Sequence, residues 1–430
     1  MRPLLPRLAF PLVALLGCGS PVPAGPRALA LTNGHWFTGE RFESRTMYVV
    51  GDTLRVGRPP RLDSTVDLAG GFVVPPFAEG HNHWLEPVLI PVYNEHYLQD
   101  GVFYLDDMGN AVALRRKLDS SLNRPGTVDF KSANQGWTGP GGHPLEVVSQ
   151  LSQLGAFPMP GNEAERDDFV FVVTTEAEID QKWPRFIAGH PDYLKLFLIY
   201  SDEYRQRLHD DRVGKHRGLN PALVPGLVRR ARAAHLPVLA HVANAADFRV
   251  ATAAGVDRIV HLPFYDAKRG VGISLLTEKD AREAAVRQIV VVPTIAWIGV
   301  EIEDSAGQNK LLRELVVPNL TVLKRAGVTL LVGSDQFRRT PVIEADWLAK
   351  SGVFANAELL RMWSETTPRA MFPGRRIGRL DDGFEASLLV LDADPLADFS
   401  ATRRIRYWMK QGVWLHPNAA AKPFPPLPGS

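Results

Sequence analysis

His81 and His83 stand two residues apart in VVPPFAEGHNHW, residues 73 to 84, where an apolar run enters a turn. On an extended backbone, side chains two apart leave the same face. Neutral imidazoles are common ligands of zinc and similar divalent cations, so this pair is fit to seat one. In a chain with twelve histidines the pair carries little by itself. Its weight comes from four further groups near the ends of apolar runs: Lys195 in YLKLFLIY, His241 in PVLAHVA, His261 in DRIVHL and Asp335 in VTLLVGSD.

Each type has a role it can fill. His81 and His83 with the carboxylate of Asp335 would hold one divalent ion, and His241 and His261 a second nearby. Lys195 cannot ligate as an ammonium. Desolvated, its neutral amine can add carbon dioxide to give a carbamate, whose two oxygens would bridge the ions. Water bound between them loses a proton near neutral pH and attacks a carbonyl carbon, with Asp335 placed to take that proton and pass it to the leaving group. One ion, with Lys195 an unmodified amine, is the simpler variant of the same site.

Such convergence needs an architecture. Val73 onward, 101–109, 128–136, 193–200, 237–243, 257–262, 289–297 and 328–335 read as eight strands. Helical stretches lie between them, among them Val224 to His235, Ala245 to Ala254, Thr277 to Gln288 and Leu311 to Ala326. Parallel strands returning through crossover helices point to a TIM (β/α)8 barrel over residues 73–372, with a doubly wound open sheet as the alternative. In a barrel all six groups face one mouth. The alternating runs of 29–72 carry turn signals at Asn33-Gly34 and Gly51-Asp52 and read as antiparallel. With similar runs in 373–416 they are expected to form a composite β-sandwich domain from both chain ends. Residues 417–430 read as a disordered tail.

Residues 1–18 join two arginines to an apolar run too short to span a bilayer, ending in Leu15-Leu16-Gly17-Cys18. That end resembles a bacterial lipobox, which implies lipidation at Cys18 and a cell-envelope, periplasm-facing or secreted protein held at the membrane only by an N-terminal lipid anchor. Cys18 is the single cysteine, so disulfides play no part. A net charge of +2 gives no reason to expect nucleic acid as a partner, leaving a small-molecule substrate.

VVPPFAEGHNHW, YLKLF, LAHVANAADFRVATAAGVDRIVHL and LLVGSDQ together resemble the amidohydrolase superfamily, in its imidazolonepropionase-like and prolidase-like branch. The resemblance implies a metal-dependent hydrolase of carbon–nitrogen bonds using one or two divalent ions, zinc first among them. His81, His83, Lys195, His241, His261 and Asp335 then take the family's ligand and base positions. It also gives His143, in the loop GWTGPGGHP, the part of polarising a carbonyl or stabilising an oxyanion. Asn82 and Ser334 stand where Thr or Ser and Thr are usual, and both keep hydrogen-bonding capacity. Ala243 stands where prolidase-like dipeptidases often carry tyrosine, which argues against peptidase activity. Lactone or ester hydrolysis and dipeptide cleavage are the alternatives on the same site, and a non-catalytic metal-binding lipoprotein is a further one. Outside the ligand set, Trp137 and Trp297 read as core residues. Arg212, Lys215, His216 and Arg217 read as a solvated charge run.

Overall fold

The computed structural model describes residues 27–153, 167–213, 216–264, 269–300, 304–418 and 423–424. The leader with Cys18 lies outside them, as does Lys215. Of the expected tail, residues 417–418 and 423–424 are described, and the Phe424 ring lies 4.8 Å from Tyr93 and 4.7 Å from His96. Among the described residues no helix is long and apolar enough to cross a membrane.

The N-terminal strands are β1 (Ala28–Phe37), β2 (Phe42–Val50), β3 (Thr53–Arg55), β4 (Ser64–Asp67) and β5 (Phe72–Val74). They share one eight-stranded sheet with three strands from the other end of the chain, labelled here in chain order as β16 (Leu388–Leu391), β17 (Ile405–Lys410) and β18 (Val413–Leu415). β16 sits between β5 and β17, so the chain ends interlock, and hydrogen bonding makes them one sheet. Its apolar face gathers Leu31, Trp36, Met47, Leu388 and Met409. The N-terminal strands are not all antiparallel. β4 and β5 run parallel to β1. Tight turns reverse the chain at β1–β2–β3, but the longer connection 56–63 carries it back to the start of β1, and nothing in a period-2 pattern encodes that return.

Ten strands form the parallel part. β6 (Phe77–Asn82), β7 (Val102–Asp107) and β8 (Asp129–Ser132) make one three-stranded sheet. β9 (Gly136–Thr138), β10 (Val170–Val172), β11 (Leu194–Phe197), β12 (Val238–His241), β13 (Arg258–Val260), β14 (Val290–Val292) and β15 (Thr329–Leu330) make a seven-stranded one in the order β10-β9-β11-β12-β13-β14-β15. Every ladder in both is parallel. β6, β7, β11 and β12 are buried at every residue, as strands covered on both faces must be.

Two short strands, β9 and β10, interrupt the eight-strand pattern. The run 128–136 breaks at Asn134, held at φ +51°, so that β8 and β9 fall in different sheets. β9, taken from sequence as loop, pairs with both β10 and β11. Three-residue strands carry too little alternation to be told from loop.

The two parallel sheets meet where β6 passes the segment after β15. Gly80 N donates to Val332 O at 2.8 Å, and Asp335 N to His81 O at 2.8 Å. A Cβ on Gly80 would stand 2.9 Å from Val332 O, and one on Gly333 2.7 Å from His81 N, so both glycines are what let these backbones close up. At the other seam Asp192 N, just before β11, donates to Ser132 O of β8 at 2.8 Å.

Candidate active site

His81, His83, Lys195, His241, His261, Asp335 and His143 all line one cavity of about 440 Å³, reached from the C-terminal ends of the parallel strands. The Asp335 carboxylate is the hub. Oδ1 lies 3.5 Å from His81 Nε2 and 3.3 Å from His83 Nε2, and Oδ2 lies 3.9 Å from His261 Nε2. His81, His261 and Asp335 each offer a ligand atom within 4.8 Å of the others. The His241 ring centroid is 4.3 Å from that of His261, and His143 is 4.6 Å from His241 on the far side.

Local structure fixes these directions. Asp335 and His261 hold left-handed backbones at φ +50° and +78°, which for non-glycine residues cost about 1–2 kcal/mol each and turn their side chains inward from strand ends. His261 Nδ1 meets Thr294 Oγ1 at 2.5 Å and His83 Nδ1 meets the Gly109 carbonyl at 3.2 Å, so in both rings Nε2 is the atom presented to the cavity.

The donor set suits a divalent cation. His81 Nδ1, His241 Nε2 and Lys195 Nζ are buried with no hydrogen-bond partner among the described residues, a costly state for polar atoms that a bound cation or its attached oxygens would relieve. Burial drives His81 down to about 3 and His241 and His261 well below their usual range, so all three rings are neutral and able to ligate. His83 alone moves upward, because Asp335 outweighs its desolvation. Burial pulls Lys195 down to about 7, with Arg258 pushing the same way and Asp335 opposing. Burial would raise Asp335, but His81 and His83 beside it hold the carboxyl well below the usual range.

Several positioning groups stand outside the residues expected from the sequence. Glu79, buried in β6, accepts from Ser334 N at 2.7 Å, Ser334 Oγ at 2.6 Å and His81 N at 3.2 Å. It thereby ties the His81 strand to the Asp335 turn. Burial pushes its carboxyl up to about 8. Asp247 accepts from the backbones of Tyr200, Ser201 and Ala243 and closes a capping box with Asn244 at the start of the helix Ala245–Ala254. The N-x-x-D spacing in HVANAADF was the available signal for it. Beneath the cavity, Arg258 on β13 pairs with Asp106 on β7 at 2.5 Å.

The remaining expected residues divide. Trp137 is core, its ring 4.6 Å from Phe171. Trp297, read as core, instead lines the cavity, 4.8 Å from Phe264. The connection after β11 that looked like solvated surface sends His216 to the cavity wall, and its Arg217 carbonyl accepts from His143 N at 2.9 Å. That bond clamps the His143 loop to the neighbouring connection. Arg212 faces solvent, paired with Asp210 at 2.8 Å.

Residues 207–415 match the amidohydrolase family. Among solved structures, a prolidase bound to N-methylphosphonate-L-proline is 18% identical with a TM-score of 0.68, covering 91% of this chain and 100% of that one. An ochratoxinase from A. niger is 15% identical with a TM-score of 0.70, covering 91% and 96%. Phenylurea hydrolase B is 19% identical with a TM-score of 0.68, covering 94% and 99%. At such identities these similarities establish a shared fold. No curated protein matches the chain.

Proposed function

We propose, from the premise that this chain belongs to the amidohydrolase superfamily, that it is a metal-dependent hydrolase of an amide-type carbon–nitrogen bond. The observation that carries this reading is the approach of three imidazole nitrogens, from His81, His83 and His261, to within 3.9 Å of a single buried-site carboxylate, Asp335. We read the two parallel sheets, hydrogen-bonded at both seams, as one (β/α)8 barrel that aims these groups at one mouth.

His81, His83 and Asp335 would hold one divalent ion, zinc for preference, and His241 and His261 a second. Bound there, such an ion acidifies water toward neutrality and polarises a carbonyl. Asp335 takes the proton of the attacking water at Oδ as the new C–O bond forms. When the C–N bond breaks, the same oxygen returns the proton to the departing nitrogen, so atoms and charge balance. His143, clamped by the Arg217 carbonyl and 4.6 Å from His241, donates to the carbonyl oxygen as negative charge gathers on it. Lys195 Nζ is buried with no hydrogen-bond partner among the described residues, and we read it as the carbamate that closes the ligand set. Labelling with isotopic bicarbonate tests that role.

The deciding experiment assays purified protein against panels of amides, ureas and lactones before and after chelation, alongside metal analysis. Amide or urea turnover that vanishes on chelation and returns with metal supports the reading. Asp335→Asn is expected to lower kcat by roughly 10²–10⁴-fold with an unchanged far-UV spectrum. Full activity in that variant, or in stably metal-free protein, would exclude it.

A further inference from the structure

The cavity has two apolar walls, each a packed cluster separate from the main core. Leu85, Val148, Phe169 and Phe197 form one; Ile199, Tyr200 and Ala243, with Phe264 against them, form the other. Both abut the centre. Phe197 lies 5.4 Å from His143, and Phe264 lies 5.5 Å from His241 and 5.4 Å from His261. A scissile carbonyl held at the centre therefore has an apolar surface on either side.

Among the described residues, those walls carry no charged side chain. Apart from the groups of the centre itself, the titratable side chains lining the cavity among the described residues are His143, Tyr200 and His216. The two arginines nearest Tyr200, Arg207 and Arg269, stack about its ring at 3.8 and 5.3 Å and both pair with Glu203, at 2.8 and 2.5 Å. A substrate carboxylate or ammonium held against these walls, away from the centre, would lose its water without meeting a charged side chain of the described lining, which costs several kcal/mol.

We propose that the site takes an uncharged amide, carbamate or urea bearing an apolar aryl or alkyl group on each side of the scissile carbonyl, and rejects dipeptides and other substrates with a free carboxylate. The proposal rests on the hydrolase reading above but goes beyond it, since the ligand set acts on the carbonyl and is indifferent to what flanks it. At about 440 Å³ the cavity falls within the range of ordinary small-molecule sites.

The test uses para-nitroanilides of acetic, butyric and hexanoic acids, with the succinic monoanilide as the charged partner of the butyric one. Burial of apolar surface predicts a rise in kcat/KM of roughly 3- to 4-fold per methylene, and roughly 100-fold preference for butyryl over succinyl. Val147 is half-buried on the helix Leu145–Gln153 at the cavity wall, so Val147→Lys offers a flexible cation there and is expected to narrow that preference at least about tenfold. A succinyl substrate cleaved as well as the butyryl one overturns the proposal, as does a preference that Val147→Lys leaves unmoved. Should no anilide be cleaved, the hydrolase reading is judged separately by the amide, urea and lactone panels, and calorimetry of the same compounds on the unreacting protein still decides the matter. Tighter binding of the neutral member sustains the apolar pocket, and equal binding ends it.

Discussion

Glu79 shows what side-chain chemistry alone reveals and conceals. His81, His83, Lys195, His241, His261 and Asp335 stand out in the sequence because imidazoles, a lone lysine and a carboxylate at the ends of apolar runs have no use in a packed core. Glu79 lies in the same strand, two residues before His81, yet a carboxylate without ligand spacing announces no role. Its role is in pairing: one oxygen serves Ser334 N and His81 N, the other Ser334 Oγ and, at 3.4 Å, Asn82 Nδ2. Glu79→Gln keeps a carbonyl oxygen for the two backbone donors and offers its amide N–H to Ser334 Oγ, so near-normal activity is expected. Glu79→Ala removes the acceptor of these donors, and of Asn82 Nδ2 at 3.4 Å, in a buried place and leaves the Asp335 turn tied to the His81 strand by backbone bonds. We expect kcat to fall at least about tenfold, with the loss in stability near 1–3 kcal/mol. Steady-state kinetics beside urea unfolding of both variants checks this, and equal kcat in Gln and Ala would remove Glu79 from the positioning of the site.

Elements with a full period are legible; those shorter than one are not. The helix read as Ala245 to Ala254 has those bounds, because its cap, apolar stripe and terminal glycine all speak locally. β9 and β10, three residues each, are set by their neighbours. So is the helix Ile295–Val300, whose first turn is held from outside: Glu344, on the helix Val342–Lys350, accepts from Ala296 N at 2.7 Å, beside the Thr294 that orients His261 and the Trp297 that lines the cavity. Burial raises the Glu344 carboxyl to about 8, and the charges of Glu79 and Asp335 add to the shift. The unfolded chain gives up this proton near its ordinary 4.5 and the folded chain only near 8, so the folded state binds more protons between those values. Stability contributed by the protonated acid is therefore lost as pH rises through that window and is level above it. Glu344→Gln retains the acceptor for Ala296 without the titration. The variant's stability relative to the native chain should then climb between pH 5 and 8, by about 1 kcal/mol or more for each unit. Guanidinium melts at several pH values read the difference directly, and parallel pH curves for the two proteins would refute the claim.

At the scale of the molecule, what sequence cannot convey is which distant segments meet. Alternation marks the strands at both ends of the chain, but the insertion of β16 between β5 and β17 depends on a partner more than 300 residues away. The join to the parallel sheets is polar and buried. Lys410 of β17 is wholly enclosed and donates from Nζ to Asp129 of β8 at 2.6 Å, while Arg375 reaches the other oxygen of Asp129 at 2.7 Å and Glu385 at 2.6 Å. One carboxylate thus answers two cations at the face opposite the mouth. Removing it should cost more than removing either cation, because the wholly enclosed Lys410 then keeps only the carbonyls of Arg124 and Thr127, while Arg375 falls back on Glu385 alone. Breaking a buried pair of this kind costs about 3–5 kcal/mol. Asp129→Ala is accordingly expected to destabilise by at least that amount, and Lys410→Met, which leaves Arg375 to satisfy the carboxylate, by clearly less. The join is expected to make the end sheet and the parallel sheets one cooperative unit, so calorimetry of the native protein should show a single transition that both substitutions shift as a whole. Were Asp129→Ala to split off a separate early transition while turnover persisted beyond it, the two parts would be independent and the polar join a surface between them.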